Sequence, residues 1–240
     1  MPKEITNVEA LFFHPDISQG ILDEQESFHA VKVLRLKPGE RISVTDGMGT
    51  FARAVITEIQ NKILYFDILE KQTKDQRTAK IHIALAPTKN IDRVEWFVEK
   101  STELGIEEIS FVLCERSERK VIHLERLEKL AISALKQSLA IVKPVLRPLI
   151  SFSDFVRQTD SHQKFIAHLE EGSQSLFASV QPKNASTVLI GPEGDFSAKE
   201  LLLAKNANYS SVTLGSSRLR TETAALIACH TINLRNEIKN

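Results

Sequence analysis

The pattern of apolar and polar positions changes character after the first seventy residues. Three short β-branched or aromatic runs, Arg41–Asp46, Thr50–Ile59 and Ile63–Leu69, are separated by turn signals reading Asp-Gly-Met-Gly and Gln-Asn-Lys. Before them, Asp23–Leu36 has helical spacing and ends at a Lys-Pro-Gly stop. Closely spaced strands with one helix predict a small β-barrel.

Beyond a polar segment, Glu70–Lys80, which we predict to be a linker, strand-like and helix-like patterns alternate. The predicted strands are Ile81–Ala86, Ile109–Leu113, Phe165–Leu169, Thr187–Ile190 and Val212–Leu214, and the predicted helices are Ile91–Leu104, Leu124–Leu139, a helix capped by Ser197 that runs through Ala207, and a last helix from Glu222. This order predicts an α/β fold, a parallel sheet with helices on both faces. We therefore divide the chain into a barrel domain, 1–72, and an α/β domain, 73–240.

Composition narrows the class of protein. Hydrophobic residues at 42% and charged residues at 26% are typical of a globular domain. No apolar run approaches the ~20 residues of a membrane helix. The opening MPKEITNVEALFF lacks the basic-then-apolar order of a signal peptide. Two cysteines and seven histidines without ligand spacing argue against a disulfide framework or a metal site. We expect a cytoplasmic protein that binds no metal and no membrane.

Charge gives no global sign of a nucleic-acid partner. The chain holds 31 basic and 31 acidic residues, and residues 1–72 carry a net charge of −3 against +3 for the rest. Nucleic-acid-binding domains usually carry a basic surface. If RNA is bound, local patches must bind it.

The segment Val188–Phe196, VLIGPEGDF, predicts a strand that enters a Gly-Pro-Glu-Gly turn and then a helix. Loops at the carboxyl ends of parallel strands are where open α/β sheets bind ligands. A plain turn explains the segment about equally well. No Gly-Lys-Ser/Thr follows and no GxGxxG motif occurs, which argues against a phosphate cradle.

A second strand–loop–helix junction lies in Gly215–Cys229, GSSRLRTETAALIAC. Thr221 as an N-cap and Glu222 in the first turn suit an ordinary helix start. Arg218 and Arg220 do not, because positive charge is unfavourable at a helix N-terminus. We infer that these arginines face something anionic or polarised.

Other charged residues are ambiguous. Arg116, Arg119 and Lys120 follow a strand and could bind phosphate, but they alternate with acidic residues, so a solvated face is favoured about two to one. Lys89, Asp92 and Arg93 open a helix and fit either interpretation equally. From the residues alone, the chain contains an α/β ligand-binding domain of unknown chemistry.

The two loops together, IGPEGDFS and LGSSRLRTETAAL, with Gly191 and Arg220 29 positions apart, resemble one family. It comprises the bacterial methyltransferases that modify N3 of a uridine in 16S ribosomal RNA and belong to the SPOUT superfamily. HAVKVLRLKPGE (His29–Glu40) and KNIDRVEWFVEKSTELGI (Lys89–Ile106) extend the resemblance over nearly the whole chain.

The resemblance implies a PUA-like RNA-binding barrel followed by a methyltransferase domain with a C-terminal trefoil knot. General folding rules would favour an unknotted sheet. The resemblance also implies S-adenosyl-L-methionine as cofactor, a homodimer, and the small ribosomal subunit as partner.

Roles for individual residues follow from the same resemblance. Arg220 would stabilise charge on the uracil, and Glu222 would orient the base or accept its proton. The expected cofactor-binding residues are Leu189, Ile190, Gly191, Pro192, Glu193, Gly194, Leu214, Gly215, Leu219, Thr221, Thr223 and Ala224. The expected RNA-binding residues are Arg35, Lys37, Arg53, Lys89, Arg93 and Arg218.

Two positions depart from the family pattern. Leu139-Ala140 stands where the family often has Gly-Arg, so that Lys136, Lys143 or Arg147 would have to replace the arginine. Asp195 stands where another glycine is common.

Two other functions remain open. One is a SPOUT enzyme with a different target atom, which the barrel-first order disfavours and nucleoside analysis would detect. The other is an RNA-binding assembly factor without catalysis. The complete GPEG and RTET segments argue against it, and failure to bind S-adenosylmethionine would favour it.

Overall fold

A computed structural model describes residues 9–75, 77–158, 162–170 and 172–237. The chain forms two compact units: Met1–Gln76 with Ile132–Lys143, and Arg77–Ala131 with Pro144–Asn240. Residues 1–8, which belong to the opening segment compared above with a signal peptide, lie outside the described residues.

The first unit contains a four-stranded sheet. Its strands are β1 (Leu11–Phe13), β2 (Arg41–Thr45), β3 (Thr50–Gln60) and β4 (Ile63–Thr73), in spatial order β1-β2-β3-β4. The pair β1–β2 is parallel, and the other two pairs are antiparallel. An antiparallel bridge from Ile21 to Tyr65 connects the segment after β1 to β4. The three predicted strands are confirmed, and β1 was not predicted.

In the first unit, the structure gives two predicted segments different boundaries from those expected. The helical segment divides into α1 (Glu24–Phe28) and a π-helix (His29–Val33). The linker prediction is wrong for residues 70–73, because β4 continues to Thr73, which pairs with Thr50 of β3. Backbone pairing with a long neighbour strand outweighs the polar composition of these residues.

The segment Ile132–Lys143 gives a backbone reason for one departure from the family pattern. Leu139 has a φ of +55°, a left-handed conformation that glycine adopts without cost and leucine rarely does. Of the basic residues that could replace the missing arginine, Lys136 is ion-paired with the buried Glu26, and Arg147 with Glu108 at 2.8 Å.

The second unit is built on a seven-stranded sheet in which every pair of neighbouring strands is parallel. The strands are β5 (Ile81–Leu85), β6 (Glu108–Leu113), β7 (Val145–Ser151), β8 (Gln163–Ala167), β9 (Gln174–Ser175), β10 (Ser186–Ile190) and β11 (Ser210–Thr213). Their spatial order is β7-β6-β5-β10-β8-β11-β9. The predicted parallel sheet is confirmed.

Helices cover both faces of this sheet. They are α2 (Ile91–Glu103), α3 (Leu124–Gln137), α4 (Phe152–Val156), α5 (Leu176–Ser179), α6 (Ala198–Asn206) and α7 (Thr221–Glu237). Only the part of α3 before Ile132 belongs to this unit. Alternate residues of β10 belong to different cores: Val188 and Ile190 pack with α2 and α7, whereas Leu189 packs with α4 and α6. The two-sided α/β architecture is confirmed.

Strand β7 was missed by the sequence analysis, as were β9, α4 and α5. In β7, Pro148 interrupts the strand pattern and cannot donate a ladder hydrogen bond. The structure accommodates it because β7 is an edge strand with a register shift, in which Arg147 faces Ser110, Leu149 faces Phe111, and Pro148 is skipped.

Candidate active site

The loops after β8, β10 and β11 surround a cavity of about 420 Å³. These strands are neighbours in the order β10-β8-β11, and all are parallel, so their carboxyl ends lie at one edge of the sheet. The first turns of α7 complete the lining. The lining residues are Ala167, His168, Leu169, Ile190, Gly191, Pro192, Glu193, Asp195, Val212, Thr213, Leu214, Gly215, Ser217, Arg218, Leu219, Thr221 and Ala224.

Most of the predicted cofactor-binding residues line this cavity. They are Ile190, Gly191, Pro192, Glu193, Leu214, Gly215, Leu219, Thr221 and Ala224. Three do not: Leu189 is fully buried in the core, Gly194 lies against the side chain of Arg116, and Thr223 lines a different depression. Cofactor binding by the twelve residues stays a prediction.

Sequence reasoning missed the residues after β8, among them His168 and Leu169. Nothing in their local sequence indicates a ligand site. They line the cavity because β8 lies between β10 and β11, an arrangement that the order of elements along the chain does not specify.

A hydrogen bond joins the two predicted loops. The Thr221 hydroxyl donates to the carbonyl oxygen of Gly191 at 3.1 Å. The N-cap prediction for Thr221 is wrong, because α7 begins at this residue and the Arg220 carbonyl already accepts from the Ala224 amide at 2.8 Å. Gly215 reaches this arrangement with a φ of +117°, a conformation that non-glycine residues rarely adopt.

Two arginines brace the neighbouring loops. Arg116 donates to the carbonyl oxygen of Gly194 at 2.7 Å, and Arg119 donates to those of Thr88 and Lys89 at 3.0 and 2.5 Å. Arg116 is exposed and Arg119 half-buried, so the predicted solvated face holds for Arg116, although both side chains also have hydrogen-bond partners. Both bind backbone carbonyls of loops at the carboxyl edge of the sheet.

Asp195, the second departure from the family pattern, also has a left-handed backbone, with a φ of +62°. Its amide donates to the Pro192 carbonyl at 2.9 Å, and its carboxylate accepts from the Phe196 amide at 2.7 Å. The other carboxylate oxygen lies 3.0 Å from Nδ1 of His168. Asp195 thus fixes the turn and connects it to the loop after β8.

A second, smaller depression of about 330 Å³ lies beside the start of α7, against α2. It is lined by Asp92, Arg93, Trp96, Arg220, Glu222 and Thr223. Both predicted catalytic residues line this depression and not the larger cavity. The segment 218–224 therefore contributes Arg218, Leu219, Thr221 and Ala224 to one cavity and the intervening residues to the other.

Glu222 is the buried charge of this depression. Its side chain is 10% exposed, and its Oε1 lies 3.6 Å from Nε of Arg93. Its Oε2 is buried, with no hydrogen-bond partner among the residues that the structure describes. A buried acceptor without a donor is costly. Arg220, by contrast, is exposed.

The predicted RNA-binding residues are distributed over both units. In the first unit, Arg35 and Lys37 are exposed, and Arg53 is ion-paired with Glu70 at 3.3 Å. In the second unit, the exposed Lys89 is ion-paired with Glu118 at 2.8 Å, which raises the pKa of the lysine. Arg93 and Arg218 line the depression and the cavity described above.

Within the described part of the chain, no three His, Cys, Asp or Glu side chains are grouped so that they could hold a metal ion. Over the same residues, no helix has the length and apolar character needed to cross a membrane.

Comparison with known proteins agrees with this architecture. Residues 74–233 match the RNA methyltransferase domain family, and residues 22–69 match the PUA domain of RNA methyltransferases. The chain belongs to this RNA methyltransferase family. The resemblance inferred from the sequence is therefore confirmed, including the PUA-like domain.

Relatives of this methyltransferase include the ribosomal RNA small subunit methyltransferase E of Rickettsia conorii, 30% identical over 86% of both chains. Among solved structures, a probable rRNA methyltransferase from Porphyromonas gingivalis is 40% identical, with a TM-score of 0.89, covering 94% of this chain and 99% of the other. A small subunit methyltransferase E from Neisseria gonorrhoeae, solved with S-adenosyl methionine, is 27% identical, with a TM-score of 0.82, covering 94% and 97%.

Proposed function

We propose that the protein methylates N3 of a specific uridine in 16S ribosomal RNA, in the cytoplasm and on the assembled small subunit, with S-adenosylmethionine as methyl donor. The observation that carries the proposal is the pair of cavities on either side of residues 218–224. A transferase must hold donor and acceptor side by side, and one turn of chain separates these two cavities.

The larger cavity suits the cofactor. Its volume of about 420 Å³ falls within the usual ~300–1,000 Å³ of small-molecule sites. Ile190, Leu214 and Leu219 offer apolar contacts, and the loop backbones at Gly191 and Gly215 offer polar groups. When bound, S-adenosylmethionine supplies an electrophilic methyl group and leaves as S-adenosylhomocysteine.

The smaller depression supplies the groups that uridine chemistry requires. N3 of a neutral uracil is a poor nucleophile, because its lone pair becomes available only when its proton leaves. The Glu222 carboxylate accepts this proton, and the Arg220 guanidinium stabilises the negative charge that develops on the flanking carbonyl oxygens. Arg93 forms an ion pair with the Glu222 carboxylate at 3.6 Å.

RNA is positioned by the PUA-like domain, which we place at 1–72, together with basic residues of the methyltransferase domain at 73–240. Arg35, Lys37 and Arg53 are the contacts proposed in the first domain, and Lys89, Arg93 and Arg218 those in the second. Since residues 1–72 carry a net charge of −3, shape and local contacts contribute more than overall charge.

We also propose a trefoil knot in the methyltransferase domain and a homodimer formed through it. The apolar side chains of α7 that are only partly buried, Leu226 and Ile227, and the exposed Leu234 support an interface. Obligate dimers usually bury more than about 2,000 Å² of largely apolar surface. Light scattering that finds only monomer at micromolar concentration would contradict the dimer.

Nucleoside mass spectrometry of ribosomal RNA from cells with and without the gene tests the activity. We expect N3-methyluridine to disappear from 16S RNA when the gene is deleted and to return with the wild-type gene. Unchanged N3-methyluridine, or loss of a different modified nucleoside, would refute the proposed target.

Arg220→Ala tests the assignment of the stabilising charge. Single-turnover methylation of purified small subunits should fall by roughly two to three orders of magnitude, as when other oxyanion donors are removed. Affinity for S-adenosylhomocysteine, measured by calorimetry, should change little, because a transition-state interaction does not contribute to ground-state binding. If saturating cofactor restores the rate of the variant, Arg220 contributes to cofactor binding instead.

A further inference from the structure

The protein has one tryptophan, Trp96, and its side chain is unusually placed for that residue type. Trp96 is 40% exposed, whereas its helical neighbours Val94, Phe97 and Val98 are fully buried. Tryptophan is highly buried on average, because its ring carries a large apolar surface. Trp96 lies outside the buried stripe of α2 and lines the smaller depression.

Among the residues lining that depression, Trp96 is the only aromatic one. The others are charged or polar: Asp92 and Arg93 on α2, and Arg220, Glu222 and Thr223 at the start of α7. A flat π-surface surrounded by hydrogen-bonding groups is the combination that binds an unstacked nucleobase, whose faces are apolar and whose edges carry donors and acceptors.

We propose that the smaller depression is the subsite for the target nucleobase and that Trp96 is the platform on which the pyrimidine ring stacks. This inference rests on the proposed function and adds to it the residue that binds the face of the base. The role of Trp96 is positioning: stacking presents the ring edge to Glu222 and Arg220 and contributes no proton transfer.

The buried carboxylate of Glu222 is a second observation that supports the inference. Oε2 of Glu222 has no hydrogen-bond partner among the described residues, although the side chain is nine-tenths buried. An imide N–H of a pyrimidine ring is a suitable donor for the Glu222 carboxylate, since this residue lines the depression. The volume of about 330 Å³ lies at the lower end of the range for small-molecule sites, which is large enough for a nucleobase.

Intrinsic fluorescence gives a direct test, because Trp96 is the only tryptophan in the full chain. The protein, saturated with S-adenosylhomocysteine, is titrated with a uridine oligonucleotide and, separately, with an oligonucleotide of equal length that lacks its bases. We expect the uridine oligonucleotide to quench the tryptophan emission and the abasic one to leave it nearly unchanged. Equal responses to both would overturn the stacking role.

Substitution at Trp96 provides a readout that does not require isolated RNA to bind tightly. In single-turnover methylation of small subunits at saturating cofactor, Trp96→Leu should lower the rate at subsaturating subunit concentration by roughly ten- to a hundredfold, the range for losing one base–aromatic stack. Trp96→Phe, which retains an aromatic face, should recover most of that loss. Leu202→Ala, at a 59% exposed apolar residue of α6, is the matched control and should leave the rate unchanged.

The outcomes separate this inference from the proposed function. If Trp96→Leu methylates uridine N3 as fast as wild type, the enzyme assignment stands and the stacking platform is wrong. If the wild-type protein forms no N3-methyluridine, the proposed function itself fails. Tryptophan emission that depends on protein concentration without RNA would show a second copy covering Trp96, which also overturns the subsite.

Discussion

The ion pair between Arg93 and Glu222 offers a quantitative test of the smaller depression. Replacing Arg93 by methionine retains most of the side-chain volume and removes the charge. Glu222 then keeps a buried carboxylate, 10% exposed, with neither oxygen paired. Breaking a buried pair by removing one partner is costly, because the remaining charge stays desolvated.

The geometry sets the size of the effect. Unit charges 3.6 Å apart interact by about 1 kcal/mol in water and about 4.6 kcal/mol at an effective dielectric constant of 20. Because the Arg93 side chain is 34% exposed, solvent screens part of this interaction. We expect Arg93→Met to lower the free energy of unfolding by about 1–3 kcal/mol.

Urea unfolding of four proteins measures this coupling: wild type, Arg93→Met, Glu222→Gln and the double variant. The double variant should be more stable than the sum of the single losses predicts, because the neutral amide that replaces the Glu222 carboxylate leaves no buried charge unpaired. The control is Arg157→Met, whose ion pair with Asp154 has the same 3.6 Å separation but joins side chains that are 73% and 61% exposed, and it should contribute at most about 1 kcal/mol. Strictly additive losses would refute the reasoning, since the loss at Arg93 would then come from its packing alone.

Two further predictions concern the backbone and the thiols. Gly215→Ala should cost about 1–3 kcal/mol of stability, because a φ of +117° is strained for alanine, and should weaken S-adenosylhomocysteine binding in calorimetry. Gly105→Ala, at a φ of +74° outside both cavities, should cost stability alone; equal binding by both variants would contradict the role of the Gly215 loop. Burial, followed by the nearby Glu107, raises the pKa of Cys229 to about 12, and burial with Glu200 raises that of Cys114. The thiolate is the reactive form, so neither thiol should react with a thiol reagent at mildly alkaline pH until urea unfolds the protein; rapid labelling of the native protein would refute this.

Much of the architecture could be predicted because the second unit obeys local rules. The alternation of strand and helix patterns determines a parallel sheet, and the capping box Ser197–Glu200 marks the start of α6 as predicted. Strand β7 was missed because an edge strand tolerates Pro148 where an interior strand would not. That tolerance depends on the position of the strand in the sheet, which no local pattern records.

The candidate site, like the fold, could be predicted from the sequence only in part. The two loops were recognisable, but the contribution of His168 depends on β8 lying between β10 and β11. The roles of Arg116 and Arg119 depend on carbonyl groups far away in sequence. Leu139 and Asp195, which were identified from the sequence by side-chain chemistry alone, both occupy left-handed backbone positions that glycine adopts without cost.

The first turn of α7 is a wall common to two cavities, and this has a thermodynamic consequence. Thr221 lines one cavity and is hydrogen-bonded to Gly191, while its neighbour Glu222 lines the other. A ligand that shifts or stiffens this turn from one side changes the free energy of binding on the other. Such coupling is reciprocal, so the factor by which donor changes acceptor affinity equals the factor by which acceptor changes donor affinity. If the donor occupies the larger cavity as proposed, the spent donor would exert its own coupling on the methylated base, and release of the two products would be a linked event.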